Sequence, residues 1–178
     1  MVIPLNLLTA AAGWVISELL PREVTINLVE HEMQAVYAWA ERHKVQLNWN
    51  PLTLHLQVRL VQPETDDRFF LLGLFEGYRE EPPAWIFSDS SWSQSIKRCN
   101  YPLPLIRGPW GSSVFHSSGL ICAPFNRLAY AAHHGPHPNW GSLTGWLHAG
   151  DGTVRATTIG DMLQVIRRDF LLTRGRMA

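Results

Sequence analysis

Between Val24 and Lys44 the apolar residues Val29, Met33, Val36, Tyr37 and Ala40 recur at spacings of three and four, with Glu30, Glu32, Glu41 and Arg42 elsewhere. This period predicts an amphipathic helix. The period then changes to two. Leu52, Leu54, Leu56, Val58 and Leu60 alternate with Thr53, His55, Gln57 and Arg59, which predicts a strand over 52–61. Residues 63–67 make a turn, Phe69 to Phe75 the next strand, and Ala84 to Phe87 a third after the Pro82-Pro83 breaker. Helical spacing returns near the end, in TTIGDMLQVIRRDF (Thr157 to Phe170), where Ile159, Met162, Leu163, Ile166 and Phe170 share a face that excludes Arg167 and Arg168. A helix, an antiparallel meander and a final helix make an α+β fold.

Two stretches carry no sustained period: Ser88 to Ser112, rich in Ser, Pro and Gly, and Ala131 to Thr153, which holds four histidines. Irregular segments this long are uncommon in compact domains and are often functional. Trp85, Trp110, Trp140 and Trp146 fall between the proline turn and the last helix and are expected to anchor core and loops.

A chain of 178 residues with 46% hydrophobic content can bury a full core and suits one domain. Zero formal net charge and a pI near 7.1 argue against an electrostatic grip on nucleic acid or anionic lipid. The apolar segment 1–20 lacks a basic leader region and carries Asn6 and Glu18. Its stretch from Leu5 to Leu20 is shorter than the roughly 20 residues a membrane-crossing helix needs, so an extra packing helix or a partner surface is expected there. Two cysteines offer no disulfide framework, which suits a reducing, cytoplasmic setting.

The candidate chemistry centres on SSVFHSSGLICAPFNRLAY (Ser112 to Tyr130). There Cys122 follows Leu120 and Ile121 and precedes Pro124, so the sulfur is expected at the end of a strand and partly accessible. A free cysteine is a reactive thiol or a buried structural one. His116, six residues earlier, would lower the thiol pKa or donate to an oxyanion if its turn folds back, and otherwise simply packs the turn. Cys99, after Lys97 and Arg98, is the lesser candidate. His133, His134, His137 and His148 invite a zinc reading, but Gly135 and Pro136 break any helical pairing and no Cys-x-x-Cys accompanies them. No metal and no cofactor is expected. A loop of this length is able to bring one of these histidines toward Cys122.

Three blocks in order, FFLLGLFEGYREEPPAWIFSD (Phe69 to Asp89), Gly119-Leu120-Ile121-Cys122 and the final Thr-Ile helix, resemble the ubiquitin-conjugating enzymes. That family runs a strand through a Tyr-Pro-x-x-Pro-Pro turn into the next strand, followed by Gly-x-Ile-Cys. Gly77, Tyr78, Pro82, Pro83, Trp85 and Phe87 take the turn and strand positions here. The resemblance, from roughly Val24 onward, implies a single domain with an N-terminal helix, a meander sheet, an active-site loop region and a C-terminal helix packed on the sheet. It implies a transferase whose Cys122 accepts a ubiquitin-like modifier as a thioester and passes it to an amine. The implied partners are that modifier and an adenylating, activating enzyme. Small divergent members of this kind occur in bacterial operons, some linked to antiphage defence.

The family's His-Pro-Asn motif precedes its cysteine, whereas here His137-Pro138-Asn139 comes fifteen to seventeen residues after it, so no role carries over. Asn126, four residues past Cys122, is the candidate replacement donor, with an ordinary turn amide as its alternative. Arg127 is divided in the same way between site and surface. The chain also ends soon after the last helix, without room for the family's two further helices, whose packing the N-terminal extension is a candidate to replace. Two other functions remain open: a non-catalytic modifier- or partner-binding module on the same fold, and a cysteine hydrolase pairing Cys122 with a loop histidine, which lacks a third group to orient its base.

Overall fold

The structure, a computed structural model, describes residues 20–104, 113–150 and 154–178. The N-terminal extension and Trp110 therefore lie outside the described residues. Helix α1 (Arg22–His43) starts after Pro21, whose carbonyl accepts the N–H groups of Val24 and Thr25, and stops at Lys44, which takes a left-handed φ of 54°. It buries Val29, Met33, Val36 and Ala40 as its spacing predicts. Tyr37 departs from the expected stripe and is 50% exposed. Position 37 lies about 100° around the helix from position 36. Trp39 points inward instead, its Nε1 donating to Gln164 Oε1 at 2.9 Å.

The sheet is a four-stranded antiparallel meander of β1 (Gln46–Asn50), β2 (His55–Val61), β3 (Arg68–Leu74) and β4 (Ala84–Ser88). Strand β1 is absent from the expectation, and the strand expected over 52–61 begins only at His55. Asn50 and Pro51 open a turn in which the Asn50 side chain accepts the Leu52 N–H at 2.9 Å. Leu52 is thereby thrown out to 85% exposure, while Leu54, at φ 56°, drops back into the core. The leucine alternation thus continued in number across a break in the backbone.

Register sets the two faces. Leu47, Val58, Leu71 and Phe87 align in one inward row, and Trp49, Leu56, Gly73 and Trp85 in the next. A Cβ on Gly73 would lie 2.8 Å from both the Phe75 and the Trp85 rings, so glycine makes room for the indole. On the outer face Leu72, Leu74, Ala84 and Ile86 form a smaller cluster beneath Trp92 and Leu128, so every residue of β4 is buried.

Helix α2 (Ile159–Phe170) begins at Thr158, whose Oγ1 accepts the Asp161 N–H at 3.2 Å. It buries Ile159, Met162, Leu163, Ile166 and Phe170 in the core shared by α1 and the inner sheet face, with Phe170 edge-on to Phe69 of β3. Glu32 of α1 joins the two helices: it accepts the Tyr78 hydroxyl at 2.7 Å and the Ile159 N–H at 2.6 Å. Burial, then the Glu32 charge, holds the Tyr78 phenol far above its ordinary range. No helix among the described residues is long and apolar enough to cross a membrane.

Candidate functional site

Past β4 the chain builds a short hairpin, β5 (Phe115–His116) paired with β6 (Leu120–Ile121). Its loop is Ser117, Ser118 and Gly119, with Gly119 at φ 79° and its N–H bonded to His116 O at 3.0 Å. A left-handed third loop residue is what a three-residue hairpin turn requires. A Cβ on Gly119 would also press on the Arg98 backbone at 3.1 Å, so the turn carrying exposed Cys99 rests against this hairpin.

Cys122 directly follows β6 and is half-buried. Its N–H donates to Val114 O at 2.7 Å, and the Val114 N–H donates in turn to the buried Asp169 Oδ2 of α2 at 2.8 Å. The other Asp169 oxygen accepts Arg168 Nε at 2.7 Å. Beyond the thiol, the Tyr130 hydroxyl donates to Pro124 O at 2.9 Å, and Gly150 packs so closely on Pro124 that a Cβ would lie 2.6 Å from the proline ring. The thiol therefore sits at a strand end on a backbone held from both sides.

Asn126 is fully buried and completely engaged. Its Oδ1 accepts the N–H groups of Trp85 at 3.0 Å and Leu128 at 3.3 Å, while Nδ2 donates to Ile121 O at 2.8 Å and Trp85 O at 3.3 Å. Both amide hydrogens are used, so none is left for an oxyanion. This side chain splices the hairpin to β4 where the backbone ladder does not reach, the turn-amide alternative in a buried form. Arg127 likewise donates to Glu76, through its carbonyl at 2.7 Å and its carboxylate at 3.2 Å.

His116 is exposed, and Nδ1 accepts the Ser118 N–H at 3.2 Å and lies 2.7 Å from the Ser118 hydroxyl. Accepting at Nδ1 leaves the proton on Nε2. Strand alternation sets Phe115 and Ile121 on the core side and His116, Leu120 and then Cys122 on the other. No hydrogen bond joins His116 to the thiol among the described residues, and burial alone pushes the Cys122 thiol up to about 11. At pH 7 the thiolate is then on the order of 10⁻⁴ of the total. Alkylation of Cys122 by iodoacetamide should accordingly rise about tenfold per pH unit from 7 to 10. A rate already level by pH 9, followed by mass spectrometry of the labelled peptide, would show that another group lowers the thiol pKa.

Of the loop histidines, His137 has its imidazole held below the ordinary range by burial first, and then by the repulsion that His116 would exert if both rings were protonated. Its ring stacks on Trp140 at 3.8 Å, and Trp140 meets Tyr130 edge-on. Gly135 lets this loop cross, since a Cβ there would fall 2.1 Å from the Ala129 carbonyl carbon. Trp146 is buried, its Nε1 donating to Arg79 O at 3.1 Å. Sequence reasoning missed Asp169 because a carboxylate next to two arginines reads as a solvated helix end.

No family model, no curated protein and no solved structure matches the chain.

Proposed function

We propose that the chain is a ubiquitin-conjugating-like enzyme that carries a ubiquitin-like modifier on Cys122 as a thioester. The observation that carries this is the position of the thiol. It is half-exposed at the end of a short hairpin strand, after a helix and a four-stranded meander and before a core-packed helix, with its backbone held by Val114 and by the Asn126 splice. In the transfer, Cys122 Sγ attacks the thioester carbonyl on the activating enzyme; the new C–S bond forms, the old one breaks, and the departing thiolate takes up the Cys122 proton. An acceptor amine then attacks the same carbonyl, forming a C–N bond and releasing the Cys122 thiol. A thiol with its pKa pushed up to about 11 is protonated at rest, which limits wasteful reaction until the partner presents its thioester. His116, on the Cys122 side of the hairpin with its proton on Nε2, is the donor offered to the developing oxyanion, and Asn126 positions the strand beneath.

The same raised pKa also favours a second reading, a binding module in which Cys122 is inert. With a modifier, its activating enzyme and ATP, wild type and Cys99→Ser should form an adduct on a non-reducing gel that dithiothreitol removes. Cys122→Ser should give a reductant-stable oxyester or none. A modifier that binds without an adduct would put the binding module in place of the enzyme, and peptide release from the modifier by this protein alone would make it a hydrolase.

A further inference from the structure

Where α1 and α2 both end, they enclose with the end of β2 a cleft of about 140 Å³ whose lining includes His43, Lys44, Arg59, Leu60, Arg167 and Phe170. Its lining contains cations and no carboxylate. Arg59 borders it, but the Arg59 head group is turned to the outer sheet face, where it bonds Gln46 Oε1 and lies over the Phe70 ring. The cations left to the cleft are His43 and Lys44 at the end of α1 and Arg167 in the last turn of α2. None of these three side chains has a hydrogen bond or an ion pair among the described residues. Glu64 is paired with Arg174 at 3.6 Å and Asp169 with Arg168 and the Val114 N–H, while Glu41, three residues before Lys44 on α1, is not among the residues lining the cleft.

Cations at helix C-termini commonly serve the terminal carbonyls. Here backbone groups already do so: the Lys44 N–H caps α1 on Ala40 and Glu41, and Leu171, Leu172 and Thr173 N–H groups bond Arg167, Asp169 and Phe170 carbonyls. The side-chain charges are therefore left over, set together on an apolar floor of Leu60 and Phe170. Burial holds the Arg167 guanidinium below its ordinary range, and burial, then Arg167, then Arg42, lower His43.

We propose that this cleft binds a phosphate-class oxyanion, with Arg167 and Lys44 as its charged donors and His43 as a third when protonated. A planar guanidinium matches a tetrahedral oxyanion with two parallel N–H donors, and the small volume admits one such group rather than an extended chain. The site is separate from the Cys122 chemistry and does not depend on it.

The test follows the His43 ring protons by NMR in the full chain as inorganic phosphate or sulfate replaces chloride at constant ionic strength. A saturable shift is expected, with the His43 pKa rising on binding because the anion offsets the repulsion from Arg167 and Arg42. Sulfate, whose charge does not change over this range, should bind roughly threefold or more tighter at pH 5.5 than at pH 7.5. Arg167→Met keeps the packing stem and should weaken binding about tenfold or more. Lys44→Gln, at an exposed position, should weaken it without touching the core. Phenyl phosphate binding as tightly as phosphate would assign the site to a phosphoryl group on a larger molecule, and weaker binding would assign it to the free anion. No saturable shift by about 10 mM anion, or equal shifts in both variants and wild type, would overturn the proposal.

Discussion

Asn126→Ala should destabilise the protein by on the order of 3 kcal/mol, because three buried hydrogen bonds and a part-buried fourth end on this one amide and the truncation leaves Trp85 N–H and C=O, Ile121 C=O and Leu128 N–H without their partner. For a chain of this size that is a fall in melting temperature of about 10 °C. Asn126→Asp should be no better, since its second carboxylate oxygen would face the Ile121 and Trp85 carbonyls where an N–H₂ now donates. Thermal melts of the two variants measure the effect. An Asn126→Asp protein as stable as wild type would mean that Nδ2 makes no bond that matters. Native-state alkylation should at the same time become less selective, because the strand carrying Cys122 loses its attachment to β4.

Asp169→Ala is expected to act on the thiol from the opposite side. The carboxylate holds the Val114 N–H, and the Val114 carbonyl holds the Cys122 N–H, so helix α2 fixes the backbone of the candidate nucleophile through one intermediary. The loss should be about 2 kcal/mol, the cost of one orphaned buried donor, with reduced hydrogen-exchange protection concentrated at Val114 and Cys122. Asp169→Asn retains an acceptor oxygen for Val114 and should recover most of that protection, although the Arg168 ion pair is weakened. If protection at Cys122 is untouched in Asp169→Ala, the two backbone bonds are not coupled. If Asn fails to rescue, it is the charge on Asp169 and not its acceptor oxygen that holds the segment.

The long elements were readable because burial on one side imposes a period on the chain. The stripe of α1, the face of α2, the strands β3 and β4 and the part of β2 from His55 onward follow from that requirement, whereas the Asn50-Pro51 turn was hidden by a leucine alternation that runs through it. Strand β1 has the right alternation, with Leu47 and Trp49 inward, but its outward positions are Gln46, Asn48 and Asn50, and asparagine reads as turn. Tyr37 and Trp39 differ by two positions on one helix, and only the partner across the interface, Gln164, decides which of them is covered.

Cys122 at a strand end was legible from Leu120, Ile121 and Pro124, since backbone preference alone places it. The surroundings of the thiol were not. Asn126 works through Trp85, forty-one residues earlier, and Asp169 works through Val114, fifty-five residues earlier, so their roles exist only once the sheet and α2 have met. The cations His43, Lys44 and Arg167 likewise look like two ordinary helix ends in the sequence, and come to line one cleft because packing brings those ends together. Periodicity is a property of neighbours along the chain, and the sequence by itself determined what depends on it. Buried polar partners are chosen by proximity in space, and only the tertiary structure decided them.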